Sequence, residues 1–151
     1  FNLSTYDGAR VLYSVSDDEP AAVIRSPIII DTGLLDWQPT GHAGIMTKEM
    51  RKDPGTGATT WLMRVEAGAT MPWVSSSADR EGYLVSGDYQ QVECAAGEEL
   101  VGQYTPGGYF LRPAGTVNGG PQSGGSAAAI WFLRETTAGS EDTHNAGCEL
   151  P

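Results

Sequence analysis

The chain has 151 residues, of which 40% are hydrophobic, 19% are charged and 20 are glycine. This length suits one domain, and abundant glycine with modest charge is typical of a turn-rich β-protein and not of a helical bundle. The formal net charge is −10, and the nine Lys and Arg residues form no basic run, which argues against nucleic acid as a partner. No apolar run approaches the roughly 20 residues that span a membrane.

The N-terminal part predicts two strands, over residues 11–16 and 22–31, followed by a loop over residues 32–44. The chain begins at Phe1 without Met. This start indicates a processed or trimmed chain, and it slightly favours a secreted or organelle-lumen setting over the cytoplasm.

The middle of the chain shows short strand patterns separated by Gly- and Pro-rich turns, which is typical of a sandwich or barrel. We expect a Gly-rich surface loop at 119–125 and a polar tail from residue 136 onward. The predicted strands cover residues 45–51, 59–66, 70–75, 82–86, 89–94, 98–104, 109–112 and 127–135.

The two cysteines, Cys94 and Cys148, are not in a Cys-x-x-Cys pair, which argues against a zinc knuckle or a thioredoxin site. In an oxidising compartment they would form a disulfide that ties the tail to the barrel. In a reducing compartment they would be two small, partly buried side chains, and the sequence leaves both options open.

Two stretches that begin with glycine give the most specific indication of the fold family. The first runs from Gly68 to Gly87 as GATMPWVSSSADREGYLVSG, and the second runs from Gly107 to Asn118 as GGYFLRPAGTVN. In order and spacing they resemble the two motifs of the cupin superfamily. Over residues 35–135 the chain is similar to the small single-domain cupins of the ChrR type.

The resemblance implies an all-β fold, a cupin-type antiparallel β-barrel (a double-stranded β-helix or jelly roll) over residues 35–135. Residues 1–34 would form an N-terminal arm with strands, packed on this barrel or exchanged with a neighbouring copy. Residues 136–151 would form the tail. The resemblance also implies a homodimer or a larger protein assembly.

Cupins commonly hold a divalent metal through three His and one Glu, and this chain departs from that pattern at every position. The positions of the first two His ligands carry Val74 and Ser76, the Glu position carries Arg80, and the third His position carries Asn118. Val has no donor atom, and Arg would repel a cation. We therefore predict no metal and no other cofactor.

The interior of the barrel is open to several interpretations. Arg80 could bind a small anion, with Ser76 and Asn118 donating hydrogen bonds. Alternatively the core is filled and Arg80 pairs with Asp79, Glu81 or Glu66. The candidate pocket-lining residues are Val74, Ser76, Arg80, Asn118, Met63, Trp73, Tyr83 and Trp131.

No general base is evident, because His42 and His144 lie outside both motifs and have no Ser or Cys partner at a meaningful spacing. The sequence therefore favours a metal-free cupin that is a non-catalytic ligand-binding or accessory subunit and not an enzyme. The alternative is a metal-independent isomerase, lyase or cyclase that uses the pocket, not a dioxygenase.

Overall fold

The computed structural model describes residues 27–148, which form short β-strands joined by turns and one short 3-10 helix at Thr32–Leu34. No helix in this range is long and apolar enough to cross a membrane. The strands are β1 (Gln38–Pro39), β2 (Ile45–Lys52), β3 (Thr59–Val65), β4 (Trp73–Ser76), β5 (Arg80–Ser86), β6 (Tyr89–Ala95), β7 (Glu98–Tyr104), β8 (Tyr109–Arg112), β9 (Asn118–Gly124), β10 (Ala129–Glu135) and β11 (Glu141–His144).

The strands form two antiparallel sheets, and the predicted all-β barrel is confirmed. One sheet has the order β1-β2-β3-β10-β5-β8, and the other has the order β11-β4-β9-β6-β7. The non-consecutive neighbours are the crossovers of a jelly roll. The core residues are Ile45, Val65, Met71, Val74, Leu84, Tyr89, Ala129, Trp131 and Leu133.

Strand β10 is central to the six-stranded sheet because it pairs with both β3 and β5. Its side chains alternate between the core and the outer face, as the period of a strand requires. Trp131, Leu133 and Glu135 are buried, whereas Phe132 and Arg134 are only half-buried. Because Glu135 shares the inward face, a carboxylate lies at the edge of the apolar core.

The prediction of a surface loop at 119–125 is wrong, because residues Asn118–Gly124 form strand β9. All three of its glycines have positive φ, and all three lie against other chain segments. A side chain at Gly119 would strike the Pro72 carbonyl oxygen, and one at Gly120 would strike the Trp73 ring. The glycines therefore permit close packing within a strand and do not mark a free loop.

The C-terminal tail is also more ordered than expected. Residues Glu141–His144 form strand β11, which pairs with β4 along its whole length. At the other end, residues 27–31 of the predicted strand 22–31 are not a strand. The remainder of that prediction and the strand predicted at 11–16 lie outside the described residues.

Cys94 and Cys148 form a disulfide that fixes the end of the tail to β6, with the two Cα atoms 5.0 Å apart. The two residues are 54 positions apart in the sequence. The chain-entropy model assigns about 4 kcal/mol to closing a loop of this length.

We expect the Cys94→Ser/Cys148→Ser double variant to lose about 4 kcal/mol or less of unfolding free energy, because its unfolded chain is less constrained. Urea unfolding, followed by tryptophan fluorescence, measures the loss. A dithiol reductant should destabilise the wild type by a similar amount and leave the double variant unchanged. Equal stability of reduced and oxidised wild type would contradict the prediction.

Candidate functional site

The four positions that the resemblance aligns with the metal ligands of cupins meet at one end of the barrel interior. Val74 and Ser76 lie on β4, Arg80 begins β5, and Asn118 begins β9 opposite Val74. Val74, Ser76 and Asn118 are buried, and the Arg80 side chain is 14% exposed. The structure therefore brings these four residues together.

Two of these residues bind a carboxylate. Glu135 Oε1 accepts hydrogen bonds from Ser76 Oγ at 2.6 Å, from Arg80 Nε at 3.0 Å and from Arg80 Nη2 at 2.8 Å. Arg80 Nη1 also lies 3.3 Å from Glu141 Oε2. Arg80 is thus paired with Glu135 and Glu141. Neither is one of the partners expected from the sequence, because both lie in segments that are distant from Arg80 in the chain.

Asn118 does not bind Glu135. Its side-chain amide donates to the carbonyl oxygen of Val74 at 3.2 Å and to that of Thr116 at 3.3 Å. A buried amide needs such partners, since an unpaired polar group in the core is costly. Asn118 therefore ties β9 to β4.

A second arginine, which sequence reasoning missed, also faces the interior. Arg112 donates through Nε and Nη2 to both oxygens of Glu93, at 2.7 and 2.6 Å. Its guanidinium stacks on the Phe110 ring, with Cζ 3.7 Å from the ring centroid. Gln91 and Tyr104 donate further hydrogen bonds to Glu93 Oε1. The alternation of β8, with Phe110 and Arg112 on one face, was the available signal.

Aromatic rings fill much of the remaining interior. Trp131 is 1% exposed, and the ring centroids of Tyr89, Tyr104 and Phe110 lie 5.6, 5.0 and 5.3 Å from its own. The remaining cavity is only about 20 Å³, which is room for about one water molecule. Its lining includes Met63, Val74, Arg80, Asn118 and Trp131.

Two of the predicted pocket residues lie elsewhere. Trp73 packs against Gly120 and Gly147, and Tyr83 pairs with the exposed Tyr109 on the outer face of its sheet. Each is one position out of phase with an inward residue, so the period of the strand turns it away from the cavity. A motif alignment alone does not separate the two faces.

Burial favours the neutral form of the two interior tyrosines. Burial raises the pKa of Tyr89 to about 12. Burial, and then the negative charge of Glu93, raise the pKa of Tyr104 to about 12 as well. Both hydroxyls therefore remain protonated near pH 7.

The histidines have more partners than the sequence suggested. His144 Nε2 lies 2.8 Å from Ser75 Oγ, which corrects the expectation that neither histidine has a serine partner. The two side chains are diagonal neighbours across the β4–β11 pair. His42 Nε2 lies 3.5 Å from Glu141 Oε1, at the same end of the barrel as Arg80.

The residues present do not fit the metal that the cupin resemblance implies. Val74 has no donor atom, and the Ser76 hydroxyl donates its hydrogen bond to Glu135. Arg80 is cationic and would repel a metal ion. Between residues 27 and 148, no group of three or more His, Cys, Asp or Glu side chains could hold one.

We expect Glu135→Gln to cost about 3 to 5 kcal/mol of unfolding free energy, because it removes one charge of a buried pair and leaves Arg80 without its main partner. The matched control, Glu141→Gln, should cost less than about 1 kcal/mol because Glu141 is 36% exposed. Replacing the pair by Arg80→Met/Glu135→Leu should recover most of the loss. Urea unfolding tests all three variants, and equal costs for the two glutamine variants would refute this account.

Comparison with known proteins gives a family and a fold. The profile of the ChrR cupin-like domain matches residues 25–132, which is well over half of the chain. No curated protein shows significant sequence similarity to it.

Several solved structures share the fold at low sequence identity. The cupin domain of Schizosaccharomyces pombe Cnp3 superposes with a TM-score of 0.59 at 15% identity, covering 73% of this chain and 74% of that one. An RmlC-like cupin from Ralstonia eutropha gives 0.59 at 19% identity, covering 74% and 69%. The polyketide cyclase RemF from Streptomyces resistomycificus gives 0.59 at 12% identity, covering 73% and 79%. The chain belongs to the ChrR cupin-like domain family.

Proposed function

We propose that this chain is a metal-free cupin that acts as a non-catalytic binding and interaction module. One observation carries the proposal: Ser76 and Arg80, at two of the four ligand positions, bind Glu135 Oε1. Other cupins surround a cation with acceptor atoms, whereas here donor groups surround a carboxylate oxygen. The site therefore favours a negative charge, where the metal site of other cupins favours a positive one. The Cys94–Cys148 disulfide supports an oxidising compartment.

The alternative, a metal-independent isomerase or cyclase, has weaker support. Pockets for small molecules usually have volumes of about 300 to 1,000 Å³, whereas the interior cavity here measures about 20 Å³. Arg80, the residue expected to polarise a substrate, is held by Glu135 and Glu141. The likeness to RemF is one of fold, at 12% identity.

The outer face of the six-stranded sheet supports a role in protein–protein contact. Val85, Tyr109 and Leu111 on β5 and β8 are 42%, 57% and 59% exposed. We call these three residues the β5–β8 patch. Clustered exposed apolar side chains commonly mark an interaction surface.

A second copy of the chain fits this patch best. Ile28 and Ile29 are also exposed, by 65% and 94%, and they precede Thr32, whose carbonyl accepts from Lys48 Nζ on β2. Lys48 and Tyr109 belong to one row of directly paired residues that crosses the sheet. They are four strands apart, which is a backbone separation of about 19 Å.

Ile28 and Ile29 are exposed, so they do not cover the patch of their own chain. In a two-fold dimer, however, Ile28 and Ile29 of each copy could cover the β5–β8 patch of the other.

We expect the purified protein to contain far less than one equivalent of Mn, Fe, Ni or Zn per chain, before and after incubation with these metals and desalting. The reason is the donor set, which offers a cation one guanidinium and no imidazole. Elemental analysis by mass spectrometry provides the measurement. One equivalent of any of these metals would overturn the proposal.

We expect the wild type to sediment as a dimer and Tyr109→Ser/Leu111→Ser to sediment as a monomer, because the double variant removes apolar contact area. The matched control is Leu100→Ser/Val101→Ser on β7, where both residues are also exposed. It should remain dimeric. Analytical ultracentrifugation distinguishes the outcomes, and a monomeric wild type would argue against self-association through this face.

A further inference from the structure

The C-terminal strap, residues 136–148, closes the end of the barrel where Arg80 lies. Ala138 N donates to Thr56 O at 3.1 Å, and Ser77 N donates to Ser140 O at 2.9 Å. A methyl group at Gly139 would lie 2.7 Å from Glu135 Oε2. The strap backbone therefore covers the Arg80–Glu135 pair directly, and pairing of β11 with β4 holds it in place.

The strap places one carboxylate between two basic side chains from different parts of the chain. Glu141 Oε2 lies 3.3 Å from Arg80 Nη1, and Glu141 Oε1 lies 3.5 Å from His42 Nε2. Both Glu141 oxygens thus face a nitrogen. The Glu141 side chain is nevertheless 36% exposed, so water reaches this contact.

The geometry of Arg80 does not depend on Glu141. Its Nε and Nη2 atoms are bound to Glu135, and its guanidinium lies over the Trp61 ring, 5.4 Å from the centroid. These two partners, Glu135 on β10 and Trp61 on β3, therefore fix the direction of Nη1. That nitrogen remains oriented when Glu141 turns away, which lowers the cost of binding another group there.

We propose that Arg80 and His42 form a binding site for an external carboxylate, and that Glu141 is the internal competitor that occupies it. An incoming carboxylate would displace the Glu141 side chain into solvent and accept from Arg80 Nη1 and His42 Nε2 in its place. Because an exposed ion pair is weak in water, replacing Glu141 by an external carboxylate changes the free energy little. The strap holds Glu141 close to the site and thereby sets its effective concentration as a competitor.

This site goes beyond the proposed function. It lies at the end of the barrel and not on the β5–β8 patch, and it uses the one Arg80 nitrogen that Glu135 leaves available. Metal content and self-association are measured in separate experiments, so either proposal can fail alone.

The test is a titration of the disulfide-bonded, ¹⁵N-labelled chain with sodium acetate, replacing sodium chloride at constant ionic strength. The amide signals of Ala43 and Glu81 and the Arg80 Nε–H signal report binding by NMR. We expect Glu141→Gln to bind acetate about tenfold more tightly than the wild type because its competitor is neutral. The matched control, Asp142→Asn, removes the same charge from the next residue and should bind like the wild type.

A second variant separates site binding from a general charge effect. Adding His42→Gln to Glu141→Gln should abolish the gain while Arg80 and its partner Glu135 remain intact. Equal affinity of Glu141→Gln and Asp142→Asn would overturn the proposal, and so would a gain that persists without His42.

The source of the carboxylate is tested with a blocked Gly-Glu-Gly peptide. Tighter binding of the peptide than of acetate would assign the site to acidic side chains of a protein. Binding of acetate alone would assign it to small carboxylates. Binding of neither probe to Glu141→Gln would overturn the proposal.

Discussion

The interior of this barrel is organised around two arginines that must be neutralised away from bulk water. Arg80 and Arg112 have side chains that are 14% and 8% exposed, and each is bound by at least two contacts to one glutamate. A buried charge without a partner is strongly destabilising, so Glu135 and Glu93 are as necessary to the fold as the apolar core. Each pair joins strands that are distant in sequence.

The two ion pairs and the aromatic rings leave almost no interior space. The fold therefore keeps the outline of a cupin, while the volume that would admit a ligand is occupied by Trp131 and its neighbours. The proposed binding role therefore rests on the surface. Two surfaces stand out, the β5–β8 patch and the end of the barrel beneath the strap.

The strap contributes to the structure in two ways. It adds β11 to the edge of the five-stranded sheet, and its disulfide reduces the entropy of the unfolded chain. It also places Gly139 and Glu141 over the Arg80–Glu135 pair. The same segment would thus stabilise the barrel and control access to Arg80.

Much of the fold was predictable because strand alternation, turn glycines and the two glycine-bounded motifs are local signals. Most of the strands between β2 and β10 were located from them. The glycines of β9 and the polar residues of β11 were misread, since their strand conformation depends on neighbours that the sequence does not identify. Gly119 lies against the Pro72 carbonyl, which leaves no room for a side chain, and β11 pairs with the edge of β4.

The sequence by itself determined that this is a cupin barrel whose ligand positions carry Val74, Ser76, Arg80 and Asn118, because residue identity and spacing suffice for that. The tertiary structure alone decided which carboxylates meet the arginines. Glu135 lies 55 residues from Arg80 in the chain and Glu141 lies 61 residues away. Side chains so far apart meet only when the strand order of the sheets brings them to the same end of the barrel, and no local pattern encodes that order.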